Sequence, residues 1–304
     1  MNYTSLIADL TAALPSLEIR ENEPLSGHCS FRIGGPADVM LLPASSEELE
    51  AACVLLFHRG VKPLLLGNGT NMLFPDAGLR RVVLKTCPGA GRIAVSGTTV
   101  TAEAGATLAR TAAAAQAAGL TGLEFAHGIP GSVGGGAVMN AGAYGGELKD
   151  VLAATDCLDE TMARRTLRGD EHGFSYRHSV LSDRPDCVVL RCAFALTPGD
   201  PDTIAARMRE LMEKRRASQP LDMPSAGSTF KRPVGGYAAA LIDEAGLKGF
   251  RIGGAQVSPK HAGFVVNAGG ATCEDVLRLM EHIQTVVASR TGITLEPEVR
   301  VIRD

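Results

Sequence analysis

Apolar residues recur at helical spacing in five stretches of the chain, and each stretch predicts an amphipathic helix. The five stretches cover residues 5–14, 45–60, 107–118, 204–216 and 276–292. Ser45 and Glu48 form the signature of a capping box at the start of the second helix. Shorter apolar runs between the helices predict strands. These runs cover residues 37–42, 61–66, 81–85, 93–96, 99–102, 187–196 and 295–302.

The order of these elements predicts an α+β fold built from several domains. Residues 37–66 form a strand–helix–strand unit, which is typical of a small α/β domain. From residue 81 onwards, short strands and glycine turns with few helices indicate a second, mostly antiparallel α+β domain. A third region begins near Pro201 and ends on a strand whose alternation predicts half-burial. We therefore predict domains over residues 1–80, 81–197 and 198–304.

Composition narrows the class of protein. Of 304 residues, 45% are hydrophobic and 21% are charged, and the net charge is −3. This balance is typical of a globular protein and creates no field that would recruit nucleic acid or an anionic membrane. No run approaches the ~18 apolar residues of a membrane span, and the N-terminus lacks the pattern of a secretory signal. We expect a cytoplasmic protein that binds neither nucleic acid nor membrane and has no obligate protein partner.

The cysteines and histidines indicate neither a disulfide framework nor a metal centre. Seven cysteines are scattered without a C-x-x-C spacing, which predicts reduced thiols in a cytosolic protein. The histidines form no H-x-x-x-H pair and no cluster with cysteine, so no metal site is expected.

Glycine is the compositional signal that points to a ligand, because the chain contains 35 glycines and they cluster. One cluster, residues 67–71, directly follows a predicted strand. A second covers residues 128–136, and residues 140–146 follow it closely. Backbone without side chains can approach a phosphate, and its N–H groups can form an anion nest. A cofactor that carries pyrophosphate is one interpretation, and tight turns with nothing bound are the other.

The first cluster is not the fingerprint of a Rossmann dehydrogenase. G-N-G-T-N-M lacks the third glycine, and no acidic residue at a strand end about twenty positions later completes the pattern.

Three further segments carry polar side chains suited to chemistry. Residues 174–179 place an arginine among aromatic and small polar residues. Residues 224–233 place hydroxyl groups beside glycine and two cations, which suits an anionic substrate with a nearby proton donor. Residues 295–300 put two carboxylates on one face of a strand. A surface salt bridge, an ordinary loop and a solvated acidic pair explain them equally well, as packed imidazoles explain His127 and His261.

Together, these segments resemble the UDP-N-acetylenolpyruvoylglucosamine reductases, and the resemblance spans nearly the whole chain. The motifs that carry it are S-F-R-I-G-G-P-A-D from Ser30, L-G-N-G-T-N-M-L from Leu66, G-I-P-G-S-V-G-G-G-A-V-M-N-A-G-A-Y-G from Gly128, S-Y-R-H-S from Ser175, A-G-S-T-F-K-R-P from Ala226, A-A-L-I-D-E-A-G-L-K-G from Ala239 and L-E-P-E-V-R from Leu295. Any one of these motifs is weak, but their order and coverage make the match specific.

The resemblance implies an FAD-binding fold of the vanillyl-alcohol-oxidase (PCMH) type. Two α/β subdomains would hold FAD, and a C-terminal α+β domain would bind the substrate. The implied reaction is the NADPH-dependent reduction of UDP-N-acetylenolpyruvoylglucosamine to UDP-N-acetylmuramate in peptidoglycan biosynthesis. The chain is similar to the shorter of the family's two types, because the stretch between Tyr176 and Ser228 has no room for the longer type's insertion. Arg232 and the pair Lys260–His261 also depart from the longer type, which leaves open which side chains hold the uridine and the diphosphate.

The resemblance also implies roles for individual residues. Three would be catalytic: Arg177 would bind the enolpyruvyl carboxylate, Ser228 would donate a proton to the adjacent carbon, and Glu298 would be a protonated acid that polarises the same carboxylate. The last role needs a raised pKa and predicts that Glu298 is buried, unlike Glu296. The FAD-binding residues would be Gly67, Asn68, Gly69, Thr70, Asn71, Met72, Gly128, Ile129, Pro130, Ser132, Gly134, Gly135 and Gly142. The substrate-binding residues would be Tyr144, Arg177, Lys231 and His261.

Two other interpretations stay open at this point. A related flavin oxidase that acts on an alcohol or hydroxy acid would need no proton donor at Ser228 and would react rapidly with oxygen. A non-catalytic FAD-binding sensor would retain the glycine clusters but would not need Arg177, Ser228 and Glu298 together.

Overall fold

The computed structural model describes residues 3–86 and 91–303. The helices are α1 (Thr4–Ala13), α2 (Ser46–His58), α3 (Leu108–Ala117), α4 (Val133–Met139), α5 (Pro201–Ser218), α6 (Ala238–Glu244) and α7 (Cys273–Thr291). The strands are β1 (Glu18–Pro24), β2 (Pro36–Leu42), β3 (Leu64–Leu66), β4 (Met72–Leu73), β5 (Leu79–Lys85), β6 (Ile93–Ser96), β7 (Thr99–Glu103), β8 (Leu120–Thr121), β9 (Gly142–Ala143), β10 (Gly146–Glu147), β11 (Leu152–Leu158), β12 (Arg164–Arg168), β13 (Val188–Ala195), β14 (Thr197–Pro198), β15 (Arg251–Ile252), β16 (Ala255–Val257), β17 (Val265–Asn267) and β18 (Arg300–Val301).

The strands form three larger sheets, in the orders β1–β2–β5–β3, β12–β11–β13–β7–β6 and β15–β16–β17. The five-stranded sheet is antiparallel throughout, whereas β3 and β5 pair in parallel with Leu64 opposite Val83. The pairs β8–β14, β9–β10 and β4–β18 complete the set. The mixture confirms the predicted α+β class, including the strand–helix–strand unit β2–α2–β3.

Contacts divide the chain into two compact units. The first unit contains Met1–Glu21, Val39–Asn68 and Arg81–Lys214, and the second contains Asn22–Asp38, Gly69–Arg80 and Arg215–Asp304. Both units are assembled from separated segments of sequence, whereas the predicted domains over residues 1–80, 81–197 and 198–304 are consecutive. Those boundaries stay a prediction.

Helix α2 begins as its sequence predicts, but with half of the predicted capping box. The Ser45 side chain accepts a hydrogen bond from the Glu48 backbone N–H at 3.1 Å. The Glu48 carboxylate does not return to Ser45; it accepts from the Ala44 backbone N–H and from the Ser16 hydroxyl. Its buried carboxylate thus ties the helix start to the segment after α1, a tertiary contact that a local motif does not reveal.

Helix α4 occupies a stretch for which the glycine pattern predicted a loop. The sequence V-G-G-G-A-V-M is a poor helix former, since each glycine costs about 1 kcal/mol relative to alanine. Packing overrides this cost: a Cβ at Gly134 would lie 2.9 Å from the Ala104 Cβ, and one at Gly136 would lie 3.0 Å from the Leu148 Cδ1. Glycine at these two positions lets the helix sit directly against its neighbours.

In the second unit, α7 is the element that the sequence predicts best. Thr272 and Asp275 form a complete capping box at its start, and Gly292 ends it with a φ of 73°. Its buried face consists of Cys273, Val276, Leu279, Met280, Ile283 and Val287. The helix packs on β15 and β16.

The predicted strand over residues 295–302 is much shorter in the structure. Only Arg300–Val301 form a strand, which pairs in parallel with Met72–Leu73. Phe230 and Pro297 make an isolated bridge before it. Burial does not alternate regularly, because Pro297 is exposed although it would share a strand face with the buried Leu295 and Val299.

The cysteines of the described residues are free and buried: Cys29, Cys53, Cys157, Cys187, Cys192 and Cys273. Burial raises the pKa of the Cys192 thiol to about 12. Cys87, the remaining member of the predicted set, lies outside the described residues. No helix within residues 3–86 and 91–303 combines the length and apolar character needed to cross a bilayer.

Candidate active site

The first unit brings the start of the first glycine cluster against the second cluster. Asn68 donates a hydrogen bond from its side-chain Nδ2 to the backbone carbonyl of Pro130 at 3.0 Å. A Cβ at Gly67 would lie 2.5 Å from the Ser132 Oγ, so any side chain at this position would require Ser132 to move. The two clusters, more than sixty positions apart in sequence, therefore form one surface, which neither motif predicted by itself.

This surface presents backbone donors. Among the described residues, no acceptor meets the backbone N–H groups of Asn68, Gly131 and Ser132. The neighbouring N–H groups are already used: that of Val133 donates to Ala106 O at 2.8 Å and that of Gly134 to Ala104 O at 2.9 Å. Donors that lack protein partners, on a surface too tight for side chains, fit the diphosphate of a dinucleotide cofactor.

Not every glycine of the second cluster needs a ligand to explain it. Gly134 and Gly136 permit the close packing of α4, and a Cβ at Gly142 would lie 2.7 Å from the Glu147 Cγ. Gly135 differs because it is exposed and a Cβ there would meet only the Ser132 Oγ, at 3.2 Å. The alternative of tight packing thus explains part of the cluster, and cofactor contacts at Gly134 and Gly142 stay a prediction.

The Gly67–Ser132 contact gives the first testable prediction. Gly67→Ala is expected to lower the flavin content of the purified protein, because its Cβ would push the two loops apart, and overpacking of this kind costs about 1–3 kcal/mol. Adding Ser132→Ala should recover much of the flavin, since the nearest remaining atom, the Ser132 Cβ, would lie 3.7 Å away. Flavin absorbance per chain is the measurement.

Gly27→Ala is the matched control, because a Cβ at Gly27 meets nothing within 4 Å. If the double variant binds as little flavin as Gly67→Ala alone, the clash with Ser132 is not the cause of the loss.

The remaining residues of the predicted FAD-binding set have varied surroundings. Gly69 has a φ of 63°, and a Cβ there would lie 2.4 Å from the His28 carbonyl oxygen. Asn71 donates from its side chain to the Glu298 carbonyl at 3.0 Å, and Met72 is paired with Arg300 in the β4–β18 ladder. These two residues therefore position the C-terminal segment. Thr70, Gly128 and Ile129 are half-buried loop residues.

Arg177 lies in the first unit on a strained turn. The backbones of Ser175 and His178 exchange hydrogen bonds of 3.1 and 3.2 Å, and this leaves Tyr176 and Arg177 at the tip. The φ of Arg177 is 55°, a left-handed conformation that costs a non-glycine residue about 1–2 kcal/mol. Its guanidinium donates from Nη2 to the Gly142 carbonyl at 2.9 Å. Strain held in place by surrounding contacts is characteristic of functional sites.

Tyr144 lies at the tip of the hairpin between β9 and β10, close in sequence to the carbonyl that Arg177 contacts. Tyr144 and Gly145 have φ values of 54° and 88°, as in a two-residue type I′ turn. The Tyr144 side chain is 41% exposed. The structure thus brings Gly142 and Arg177, both members of the predicted site, into direct contact, and it places Tyr144 on the same hairpin as Gly142.

Ser228 and Glu298 lie together in the second unit, on either side of the buried Thr229. The Thr229 carbonyl accepts from the Glu298 backbone N–H at 2.9 Å, and the Thr229 N–H donates to Gly263 O at 2.8 Å. The Thr229 hydroxyl accepts from the Val265 N–H at 2.9 Å. Ser228 therefore projects from a backbone fixed on its C-terminal side, and it is exposed.

The burial predicted for Glu298 is present only in part. Glu298 is half-buried, whereas Glu296 is exposed. The segment around them pairs with β4 only beyond Val299, so it does not enter a sheet that would cover the Glu298 carboxyl. The predicted contrast between the two glutamates is confirmed, but Glu298 is half-buried rather than buried as predicted.

Lys231 and His261 are the other predicted substrate ligands of the second unit. The side chains of both interact with other residues of the protein. The Lys231 ammonium pairs with the Glu296 carboxylate, and its backbone N–H donates to Glu296 O at 2.8 Å. The His261 Nδ1 accepts from the Gly263 N–H at 3.1 Å, and burial lowers the pKa of this imidazole. Burial and the accepting Nδ1 therefore both favour the neutral form of the His261 imidazole.

The described residues contain no group of His, Cys, Asp and Glu side chains placed to hold a metal ion. The sequence did not indicate two features of the site: the contact between the glycine clusters and the left-handed conformation of Arg177. Both depend on tertiary contacts, so no local pattern could have indicated them.

Comparison with known proteins agrees with this arrangement. Residues 37–164 match the model of an FAD binding domain, and residues 219–302 match the C-terminal domain of UDP-N-acetylenolpyruvoylglucosamine reductase. The reductase of that name from Caldanaerobacter subterraneus subsp. tengcongensis is 47% identical, over 98% of this chain and 98% of its own length. The one from Levilactobacillus brevis is 48% identical, over 98% and 97%.

Comparison with solved structures identifies the fold. The crystal structure of UDP-N-acetylenolpyruvylglucosamine reductase from Thermus caldophilus superposes with a TM-score of 0.79, at 34% identity, over 94% of this chain and 99% of that chain. Alkyldihydroxyacetonephosphate synthase shares the fold alone, with a TM-score of 0.50 at 14% identity, over 65% of this chain and 41% of that one. The predicted FAD-binding fold of the vanillyl-alcohol-oxidase type is thereby confirmed. The chain belongs to the UDP-N-acetylenolpyruvoylglucosamine reductase family.

Proposed function

We propose that this protein reduces UDP-N-acetylenolpyruvoylglucosamine to UDP-N-acetylmuramate in peptidoglycan biosynthesis, with FAD as cofactor and NADPH as electron donor. The observation that carries the proposal is the similarity to reductases of this name over 98% of this chain and 97–98% of theirs. Because the match covers both the FAD binding domain and the C-terminal domain, the parts needed for cofactor and substrate are both present.

The first unit supplies the surface for FAD. When bound, FAD relays a hydride from NADPH to the substrate in two successive half-reactions. The backbone N–H groups of Asn68, Gly131 and Ser132 would bind its diphosphate, because donors without protein partners gain most from an anion. Gly67 keeps this surface free of side chains.

Arg177 would bind the enolpyruvyl carboxylate of the substrate. Its guanidinium stays protonated at any physiological pH, and its planar fork can hold a carboxylate through two parallel hydrogen bonds. As hydride reaches the vinyl carbon, negative charge develops towards this carboxylate, and a fixed cation there stabilises the transition state. The contact with Gly142 O supports the role because it limits the positions that the guanidinium can take.

Ser228 would donate the proton that completes the reduction. An alcohol is a weak acid, so the group that it protonates must be strongly basic, as a carbon that carries developing negative charge is. The exposed Ser228 projects from a backbone that Thr229 fixes through Gly263 and Glu298. Glu298 would polarise the substrate carboxylate.

Lys231 gives a second prediction. Its pairing with Glu296 competes with any phosphate that Lys231 binds, so Glu296→Gln is expected to lower KM for the sugar nucleotide. Lys231 and Glu296 have side-chain exposures of 33% and 68%, and ion pairs this exposed correspond to about a twofold to fivefold effect that fades with added salt. Asp243→Asn, which breaks the exposed pair with Lys248, is the control and should leave KM unchanged. An equal change in both variants would contradict the role of Lys231.

The proposal is tested by mixing the purified protein with NADPH and the enolpyruvyl sugar nucleotide. NADPH oxidation should depend on the sugar nucleotide, and mass spectrometry should find a product heavier by two hydrogen atoms. NADPH oxidation that instead depends on oxygen, with the sugar nucleotide unchanged, would refute the proposal and favour an oxidase.

A further inference from the structure

Asn140 is a buried polar residue of the first unit to which the reaction above assigns no role. It is 0% exposed and follows α4 in a left-handed conformation, with a φ of 44° and a ψ of 59°. Its position within the N-A-G-A-Y-G segment suggests a ligand contact. Its burial indicates instead that it acts on the protein itself.

The Asn140 side chain makes three hydrogen bonds to two other segments, residues 147–149 and Ser175. Its Nδ2 donates to the Glu147 carboxylate at 3.0 Å and to the Ser175 carbonyl at 2.9 Å. Its Oδ1 accepts from the Lys149 backbone N–H at 3.0 Å. Both amide protons and the carbonyl oxygen are therefore used within the protein.

One of these partners belongs to the turn that carries Arg177. Ser175 is the residue whose backbone closes that turn with His178, and the other end of the Arg177 side chain contacts Gly142, two residues after Asn140. Asn140 thus holds the turn at its base through Ser175 and lies beside the segment that holds the guanidinium. The strained φ of Arg177 needs such support, because a turn released from it would relax.

We infer that Asn140 is the positioning residue for Arg177. It does not contact substrate or cofactor; it fixes the Ser175–His178 turn so that the guanidinium stays where the substrate carboxylate binds. The role in catalysis rests on the proposed function, whereas the role in holding the turn does not.

A second set of hydrogen bonds holds the residues that follow the Arg177 turn. These bonds distinguish a local loosening of the turn from a general loss of stability. The hydroxyls of Ser179 and Ser182 both donate to the Val138 carbonyl, at 2.7 and 2.6 Å. These bonds keep residues 179–182 attached to the end of α4 when Asn140 is replaced. Loss of Asn140 should therefore loosen the turn itself and leave the segment after it in place.

The test compares Asn140→Gly with Asn22→Gly. Glycine accepts the left-handed backbone in both places, and Asn22 has a similar φ of 53° at an exposed position. Hydrogen exchange, measured on the protein as purified, should become about tenfold faster at the Ser175 and His178 amides in Asn140→Gly. It should not change there in Asn22→Gly.

The catalytic consequence is measured by anaerobic stopped-flow. Asn140→Gly should slow the half-reaction that consumes the enolpyruvyl substrate by roughly 10- to 100-fold, as expected when a reacting partner is displaced by about 1 Å. Flavin reduction by NADPH should be unchanged. In a protein that already carries Arg177→Ala, adding Asn140→Gly should not slow the half-reaction that consumes the enolpyruvyl substrate any further.

The outcomes separate the two proposals. Unchanged exchange at Ser175 and His178, or an additive loss on top of Arg177→Ala, overturns the inference about Asn140. Faster exchange in a protein that never reduces the sugar nucleotide overturns the proposed function and leaves the structural role of Asn140 standing.

A second variant serves if Asn140→Gly does not fold. Asn140→Asp keeps the size of the side chain but replaces the Nδ2 donor to the Ser175 carbonyl with a carboxylate oxygen. It should slow the half-reaction that consumes the enolpyruvyl substrate and leave flavin reduction unchanged, and an unchanged substrate half-reaction would contradict the inference.

Discussion

Arg177→Ala is expected to slow the half-reaction that consumes the enolpyruvyl substrate by about 10²–10³-fold, the range seen when a group that stabilises developing charge is removed. Flavin reduction by NADPH should be nearly unchanged, because the carboxylate in question belongs to the other substrate. Alanine keeps the Cβ and hence the strain at a φ of 55°, so folding should be little affected. Anaerobic stopped-flow absorbance of the flavin measures the two half-reactions separately.

Two further variants sharpen this result. Arg177→Lys keeps the charge but loses the planar fork, so it should recover only part of the rate. Arg165→Ala is the matched control, because Arg165 is an exposed arginine of the same unit whose guanidinium pairs with Asp159 at 2.9 Å. It should behave as the wild type. Equal losses in both half-reactions for Arg177→Ala would show that the residue supports the fold or the flavin rather than the substrate.

Ser228→Ala is expected to slow the same substrate-consuming half-reaction by about 10²-fold or more, the lower end of the usual contribution of a positioned acid. The substitution removes an exposed hydroxyl, so the thermal unfolding midpoint should not move. Ser225→Ala is the control, since Ser225 belongs to the same loop and its backbone carbonyl accepts from the Ser30 hydroxyl at 2.6 Å.

Comparable losses in Ser228→Ala and Ser225→Ala would contradict the assignment of the proton donor. So would a Ser228→Ala protein in which flavin reduction by NADPH falls as far as the substrate half-reaction.

The sequence predicts elements well where local signals and burial agree. Helix α7 has a periodic apolar face and a C-terminal glycine in its sequence, and the structure contains both, together with a capping box at Thr272 that was not predicted. Strand β2 and helix α2 are similar cases. In these segments the local sequence and the tertiary packing favour the same secondary structure, so the sequence alone is sufficient to predict it.

Local reasoning was insufficient where tertiary contacts set the conformation. Helix α4 forms from a glycine-rich sequence because Gly134 and Gly136 allow close approach to Ala104 and Leu148. The C-terminal segment pairs with β4 over two residues only, since the partner strand is itself that short. Neither partner is adjacent in sequence, so neither effect can be inferred from the segment alone.

The candidate site shows the same difference between what local sequence signals reveal and what only tertiary contacts reveal. Residue types and motifs indicated candidate side chains, and the family comparison supports the cofactor and the reaction. The structure adds the contacts that position them: Gly67 against Ser132, Thr229 between Ser228 and Glu298, and Asn140 under the Arg177 turn.

The central claim, that this protein passes electrons from NADPH through FAD to an enolpyruvyl sugar nucleotide, is tested most directly by one anaerobic spectroscopic titration. The purified protein should show flavin absorbance in the visible region, lose it on addition of NADPH and regain it on addition of the sugar nucleotide. Bleaching that only oxygen reverses would identify an oxidase or a sensor, and a protein without flavin absorbance would contradict the account altogether.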